Sequence, residues 1–264
     1  MENYKKIFLD TCVLSDIGRM EKSKRASIAY EFLVNKKYQV ILSPYILQEL
    51  EKCPDKEIVH NAYDFLELSY IGFAKGSERV FQEEILAYNE GSVLDIVELQ
   101  LSMIQTDVNG NKMDFNNFKE TLLNNYTFKV VSKENEEIKK KLQEQKRPLK
   151  NVNDYFQLMI FKHIYENKLL STDYNIFPAF TVWAYSLANK IESKGLKKKI
   201  NELNDVAMSY IVPYVDIVIA EKRQINLYNQ LKNKKILNSL DKVILKKYGD
   251  VFTNGQFKIE NIEL

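Results

Sequence analysis

The chain has 264 residues, of which 45% are hydrophobic, so it can form the core of one large domain or of a domain with an insertion. Its two cysteines exclude a disulfide framework, and no apolar run approaches the ~20 residues that span a bilayer. The N-terminal residues lack the apolar region of a secretory signal. These features predict a cytoplasmic protein that does not enter the membrane.

Charge is unevenly distributed along the chain. The formal net charge is +2, but residues 181–264 contain 14 Lys and Arg against 9 Asp and Glu, whereas residues 1–180 are net acidic. A lysine cluster at Lys197, Lys198 and Lys199 could contact phosphate groups of a nucleic acid. Lysine runs are, however, more typical of solvated surfaces.

The first apolar run predicts a strand. Ile7, Phe8 and Leu9 form a run too short for a helix, which indicates a strand buried on both faces in a parallel sheet. Asp10 follows directly. Ligands of open α/β sheets bind at the carboxyl ends of the strands, so Asp10 is a candidate functional acid, although an Asp there could also cap the next helix.

The following residues predict alternating helices and strands. Residues 23–37 have the apolar spacing of a helix, residues 38–42 predict a second strand, and Ser43 and Pro44 predict the start of a second helix, which contains Glu49. This order with short connections is typical of a parallel α/β sheet.

The middle of the chain, residues 55–174, is predicted to be an all-helical insertion or subdomain between two parts of one core, residues 1–54 and 175–264. The predicted helices are 58–73, 80–88, 92–104, 115–123, 134–145 and 152–166. Short strands are possible at 128–131 and 169–172.

The last third predicts a helix and a strand, each beside an acid. Asp205 opens a short apolar helix that ends at Pro213, and the apolar residues 215–220 predict a buried strand that ends at Glu221. Asp216 lies near the start of that strand.

The acids of these elements are expected to converge at one edge of the sheet. Asp10 and Glu221 follow parallel strands, and the helices that contain Glu49 and Asp205 begin at the same edge. Four close carboxylates repel one another unless a cation lies between them, and oxygen ligands favour Mg²⁺ or Mn²⁺ over zinc. Such a site is suited to hydrolysis of a phosphodiester by a metal-bound water, and neither histidine has a visible partner for another mechanism.

Three segments resemble the successive motifs of PIN-domain and PIN-like nucleases. They are Phe8-Leu9-Asp10-Thr11-Cys12-Val13-Leu14, then Ser43 with Glu49 six residues later, then Asn204-Asp205 followed by Pro213-Tyr214-Val215-Asp216-Ile217-Val218-Ile219-Ala220-Glu221-Lys222. The resemblance implies a three-layer α/β/α sandwich around a parallel sheet. It also implies a Mg²⁺- or Mn²⁺-dependent endonuclease that cleaves single-stranded RNA. Such an enzyme would act as a toxin or in RNA processing, and an inhibitor protein could regulate it.

The resemblance also assigns roles to individual residues. Asp10 and Asp205 would bind metal directly, Glu49 would position metal or water, and Glu221 would hold a second metal. Thr11 would orient Asp10 or a metal-bound water. Apart from the resemblance, Lys222 and Arg223 in the basic last third of the chain are candidate contacts for nucleic acid.

Several alternatives stay open at this point. Asp216 could replace Glu221 as the fourth acid, and Asp154 and Asp173 could replace Asp205 and Glu221. The enzyme could hold one metal or two. The same fold could serve a DNA or structure-specific nuclease, or a binding or scaffold protein without catalysis.

Overall fold

The computed structural model describes residues 4–101, 152–192 and 201–263 of the chain. Within these residues, six strands form one central sheet in the order β4-β3-β2-β1-β5-β6, and every neighbouring pair is parallel except β3 and β4. The strands are β1 (Lys5–Leu9), β2 (Tyr38–Leu42), β3 (Tyr70–Ala74), β4 (Val97–Leu101), β5 (Ile217–Ala220) and β6 (Ile244–Lys247). A separate hairpin contains β7 (Phe252–Thr253) and β8 (Gln256–Phe257).

Ten α-helices accompany the sheet in the described part of the chain. They are α1 (Thr11–Gly18), α2 (Lys22–Tyr30), α3 (Pro44–Glu51), α4 (Lys56–Glu67), α5 (Ser77–Glu90), α6 (Val152–Glu166), α7 (Pro178–Glu192), α8 (Asn201–Met208), α9 (Lys222–Asn233) and α10 (Tyr248–Val251). The first two helices pack on α4, whereas α5, α6 and α8 pack on α7. None of the helices described is long and apolar enough to cross a membrane.

The predicted α/β class with a mostly parallel sheet is confirmed. The three central strands are β2, β1 and β5, and the side chains of β2 and β5 are buried along their whole length. Ile7, Phe8 and Leu9 of β1 are also buried. Strands covered on both faces have continuous apolar runs rather than alternating ones, which is why sequence periodicity could identify them.

The described part of the middle block is not all-helical. The helix predicted at residues 58–73 ends at Glu67, and Tyr70–Ala74 instead forms β3 beside β2. The helix predicted at residues 92–104 is replaced by β4, in which Glu98 and Gln100 alternate with apolar residues. Residues 56–101 therefore extend the central sheet. The elements predicted at 115–123, 128–131 and 134–145 lie outside the described residues.

The strand predicted at residues 169–172 is also wrong. These residues lie in an irregular connection, where Leu170 is fully exposed and has no neighbouring strand. Asp173 caps the short 3₁₀ turn Tyr174–Ile176 by accepting a hydrogen bond from Asn175 N (2.9 Å). The prediction rests on the two adjacent leucines, Leu169 and Leu170. Adjacent apolar residues form a strand only where a neighbouring strand and a core cover them, and Leu170 is exposed instead.

Helix α7 is anchored at its first turn by a buried carboxylate. Glu84 of α5 accepts hydrogen bonds from the backbone N–H groups of Ala179 and Phe180, and from the Tyr214 hydroxyl (2.6 Å). Burial outweighs these bonds and raises the pKa of Glu84 to about 8. Glu84 therefore fixes where α7 begins, and with it the position of the side chains farther along that helix.

Replacing Glu84 tests this anchor. Because Glu84→Ala leaves two buried N–H groups and a tyrosine hydroxyl without their acceptor, we expect the free energy of unfolding to fall by about 2–4 kcal/mol. Glu83→Ala is the matched control, since Glu83 forms partly exposed ion pairs with Lys75 and Arg79 and should contribute about 1 kcal/mol or less. Urea denaturation of both variants makes the comparison, and equal losses would contradict the assigned role.

Candidate functional site

Asp10 lies at the carboxyl end of β1 and is almost completely buried. Its backbone N–H donates to Ile219 O of β5 (3.0 Å), and its side chain caps α1 by accepting from Thr11 N (2.8 Å). The Cys12 thiol donates a longer bond to the same carboxylate (3.4 Å). The sequence left open whether Asp10 is a helix cap or a functional acid. The structure shows that it caps α1 and that it lies at the carboxyl edge of the sheet, where ligands of open α/β sheets bind.

Glu49 of α3 is tied to the same place by two hydrogen bonds. The Thr11 hydroxyl donates to Glu49 Oε2 (2.6 Å), and Asn204 Nδ2 donates to Glu49 Oε1 (3.2 Å). The structure thus connects the first residue of α1, directly after β1 and Asp10, with the last turn of α3 and the middle of α8. Thr11 orients Asp10 through its backbone N–H and Glu49 through its hydroxyl.

Asp205 faces the other two carboxylates. Burial, together with the charges of Asp205 and Glu49, raises the pKa of Asp10 to about 7, against the bond from Thr11 N. Burial and the charge of Asp205 also raise the pKa of Glu49, although the bonds from Thr11 and Asn204 oppose this. Asp205 therefore makes both Asp10 and Glu49 harder to ionise, as expected where carboxylates share a site.

A lysine partly neutralises this group of acids. Lys190 Nζ donates to Asp205 Oδ2 at 3.1 Å, and the Lys190 side chain is largely buried. Sequence analysis assigned no role to Lys190. The signal was present, because the residues of α7 from Pro178 to Asn189 have no charge and Lys190 is the first charged residue of that helix.

The fourth acid lies at the margin of the site. Glu221 follows β5, is exposed and begins α9 without a side-chain capping bond. Its charge contributes to raising the pKa of the Cys12 thiol, for which burial is the main cause and the Asp10 charge the next. Glu221 thus lies on the Asp10 side of the sheet, whereas the charges that raise the pKa of Asp10 are those of Asp205 and Glu49.

The other candidate acids lie elsewhere. Asp216 Oδ2 accepts from Lys6 N (2.7 Å) at the amino end of β5, four residues along the strands from Asp10 and therefore roughly 13 Å away. Asp154 is exposed in the first turn of α6, and Asp173 caps a 3₁₀ turn. None of these three acids is brought to the site.

The proposed basic contacts divide into two sets. Lys222 and Arg223 of α9 line a cavity of about 870 Å³, which Asp205, Glu221 and Lys190 also line. The cluster at Lys197, Lys198 and Lys199 lies outside the described residues.

The donor set suits a hard divalent cation by its chemistry, because its ligating atoms are carboxylate oxygens and Asp205 already makes Asp10 and Glu49 harder to ionise. In the residues described, however, no group of three or more His, Cys, Asp and Glu side chains is arranged so that it could hold a metal ion. Lys190 and the donors Thr11 and Asn204 meet the carboxylate oxygens instead.

Comparison with known proteins finds no matching family model, no matching curated protein and no matching solved structure.

The unfavourable charge of Asp10 predicts an unusual effect of its replacement. Since the pKa of Asp10 rises from 3.8 to about 7 on folding, its ionisation lowers the free energy of unfolding, and this loss is complete above about pH 7. Asp10→Asn keeps a good capping residue and removes the charge. In EDTA at pH 8 we expect it to increase the free energy of unfolding by about 1–3 kcal/mol.

The pH dependence and a matched control complete this test. The gain should grow as the pH rises from about 4 and level off above about 7, because the folded protein releases the Asp10 proton in that range. Asp55→Asn replaces the capping Asp of α4, which accepts from Glu57 N and Ile58 N, and should change stability little. A loss of stability in Asp10→Asn at pH 8 would show that the carboxylate is not under repulsion.

Proposed function

We propose that the protein is a metal-dependent endonuclease of the PIN-like type that hydrolyses phosphodiester bonds, with single-stranded RNA as its substrate. One observation supports this most directly. Asp10, Glu49 and Asp205 come from a strand end and two helices far apart in the sequence, and their charges act on one another at the carboxyl edge of a parallel sheet. Ligands of open α/β sheets bind at this edge.

In this proposal Asp10 and Asp205 hold Mg²⁺ or Mn²⁺, and Glu221 contributes to a second metal position. When bound, the cation would lower the pKa of a water molecule and neutralise charge on the phosphate. The chain itself positions Glu49, since both carboxylate oxygens accept hydrogen bonds, from Thr11 and from Asn204. A carboxylate with a raised pKa, fixed in this way, is suited to orient a water and accept its proton.

Two basic residues beside the acids support a nucleic acid as the substrate. Lys222 and Arg223 line the cavity next to Asp205 and Glu221, where they can contact phosphates of a bound strand. Carboxylate chemistry does not distinguish RNA from DNA, so the preference for RNA comes from the resemblance to PIN-domain nucleases alone. That resemblance is also the basis for expecting an inhibitor protein.

A second candidate function has one observation in its favour. Lys190 forms an ion pair with Asp205, so a lysine ammonium already neutralises part of the negative charge. A binding or scaffold protein without catalysis could keep these carboxylates in this way without a metal ion. In that case the carboxylates would serve the fold and the surface around the cavity would serve a partner.

A cleavage assay tests the proposed function. The full chain is incubated with labelled single-stranded RNA and DNA of the same sequence, in Mn²⁺, in Mg²⁺ and in EDTA. We expect cleavage of RNA only with metal. Asp10→Asn should reduce the rate on the order of 10²-fold or more, because it removes a proposed metal ligand.

Asp55→Asn is the control for this assay and should cleave at the wild-type rate, because Asp55 caps α4 away from the site. Faster cleavage of DNA would favour the DNA nuclease. Absence of metal-dependent cleavage on both substrates by the folded wild-type protein would favour the scaffold.

A further inference from the structure

The cavity of about 870 Å³ beside the carboxylates lies between α7 and α9. Its volume falls in the upper part of the range usual for small-molecule sites, so it is far too large for an ion or a few waters alone. Of the four candidate acids, Asp205 and Glu221 line it and Asp10 and Glu49 do not. The cavity therefore extends away from the carboxylates along the two helices.

Carboxamide side chains from both helices line this cavity. Asn189 comes from α7, and Gln224, Asn226 and Gln230 come from α9. A carboxamide presents a donor and an acceptor side by side, which is the pattern with which proteins recognise the edges of nucleobases.

Two of these carboxamides are held in a defined orientation by Tyr185. Asn189 Nδ2 donates to Tyr185 O (2.9 Å), which directs the use of its amide hydrogens and leaves Oδ1 as an acceptor. Lys234 can only donate, so the Tyr185 hydroxyl accepts from it (3.3 Å) and donates to Gln230 Oε1 (3.2 Å). Gln230 therefore keeps its amide N–H groups for another partner.

Asn189 and Gln230 together offer one acceptor and one donor, which matches the donor and acceptor of a nucleobase edge. Asn189 contributes an acceptor from α7 and Gln230 contributes a donor from α9, and their orientations are set before any ligand binds. Preorganised polar groups cost less entropy on binding than mobile ones.

At the end of the cavity next to Asp205 and Glu221, the lining also includes basic side chains. Lys222 and Arg223 belong to the first turn of α9, where the helix dipole also favours an anion. Gln230 lies seven residues farther along α9, roughly 10 Å along the helix axis. A ligand with an anionic group at one end and a hydrogen-bonding edge at the other matches this arrangement.

We infer that the cavity binds one nucleotide of a single strand, with its phosphate beside Lys222 and Arg223 and the edge of its base against Asn189 and Gln230. This inference rests on the proposed function and gives it a base-selective subsite next to the cleaved bond. Single-stranded bases are accessible to such recognition because their edges are not paired.

Binding of the four nucleoside 5′-monophosphates to the full chain in EDTA tests the subsite without any cleavage. Isothermal titration calorimetry compares AMP, GMP, CMP and UMP. We expect at least one to bind, and the tightest to bind about 3–10-fold better than the weakest, the difference expected from one or two hydrogen bonds. No binding of any monophosphate at roughly 10 mM would overturn the inference.

Variants separate recognition of the base from recognition of the phosphate. Asn189→Ala and Gln230→Ala should reduce the preference between bases, and Tyr185→Phe should do the same because it removes the hydroxyl that orients Gln230. Arg223→Ala should weaken all four monophosphates by a similar factor. Gln256→Ala, in the β7–β8 hairpin, is the matched control and should change nothing.

The outcomes distinguish this inference from the proposed nuclease. Selective binding by a protein that cleaves neither RNA nor DNA would support the subsite and reject the nuclease. Cleavage with equal binding of all four monophosphates, unchanged in Asn189→Ala and Gln230→Ala, would support the nuclease and overturn the subsite. Thermal denaturation of each variant verifies that a lost preference is not a lost fold.

Discussion

Burial of the Asp10 carboxylate at the end of β1 is the constraint on which the rest of the site depends. The strand must be apolar to lie in the middle of the sheet, and the residue that follows it inherits that burial. Asp205 and Glu49 add two further negative charges, so the fold accepts an electrostatic cost that an apolar or amide side chain would avoid. Residues that oppose stability in this way are typical of functional sites.

The arrangement of the other groups follows from how that cost is limited. Thr11 and Asn204 donate to Glu49, while Lys190 donates to Asp205 from the last turns of α7. Glu84 holds the first turn of the same helix, so two carboxylates fix α7 from opposite ends. The position of Lys190 is therefore set by contacts some 16 Å away along the helix axis, in a part of the chain that contributes nothing to the carboxylate group itself.

Sequence patterns could predict the strands buried on both faces and the helices between them, because those runs are long, apolar and bounded by capping residues such as Ser43. They failed for β3, a short apolar run that follows α4 after two residues and so looks like a continuation of that helix. They also failed for β4, which pairs only with β3 at the edge of the described sheet and whose polar and apolar residues alternate. Asp10 could be placed at the carboxyl edge of the sheet because it directly follows an apolar strand. Glu49 and Asp205 lie within α3 and α8, and α8 begins at Asn201 rather than at Asp205 as predicted, so their approach to Asp10 depends on how the helices pack. Lys190 stands out in the sequence as the first charged residue of α7, but its pairing with Asp205 does not, and neither does the Tyr185 network, since both arise from contacts between helices that no local pattern encodes.

The carboxylates and the neighbouring cavity address different physical problems. In the proposed function, the acids and their cation would act on the phosphodiester alone, which is the same whatever base it joins, so they would provide no selectivity. Hydrogen bonds to the edges of bases provide selectivity but no chemistry. Asp205 and Glu221 line the cavity, and Asp205 also acts on the charge of Asp10, so the two regions meet at one residue. A strand bound across both would present a phosphate to the acids and a base to Asn189 and Gln230. Selectivity could then be changed by substitutions in α7 and α9 that leave the carboxylates unaltered.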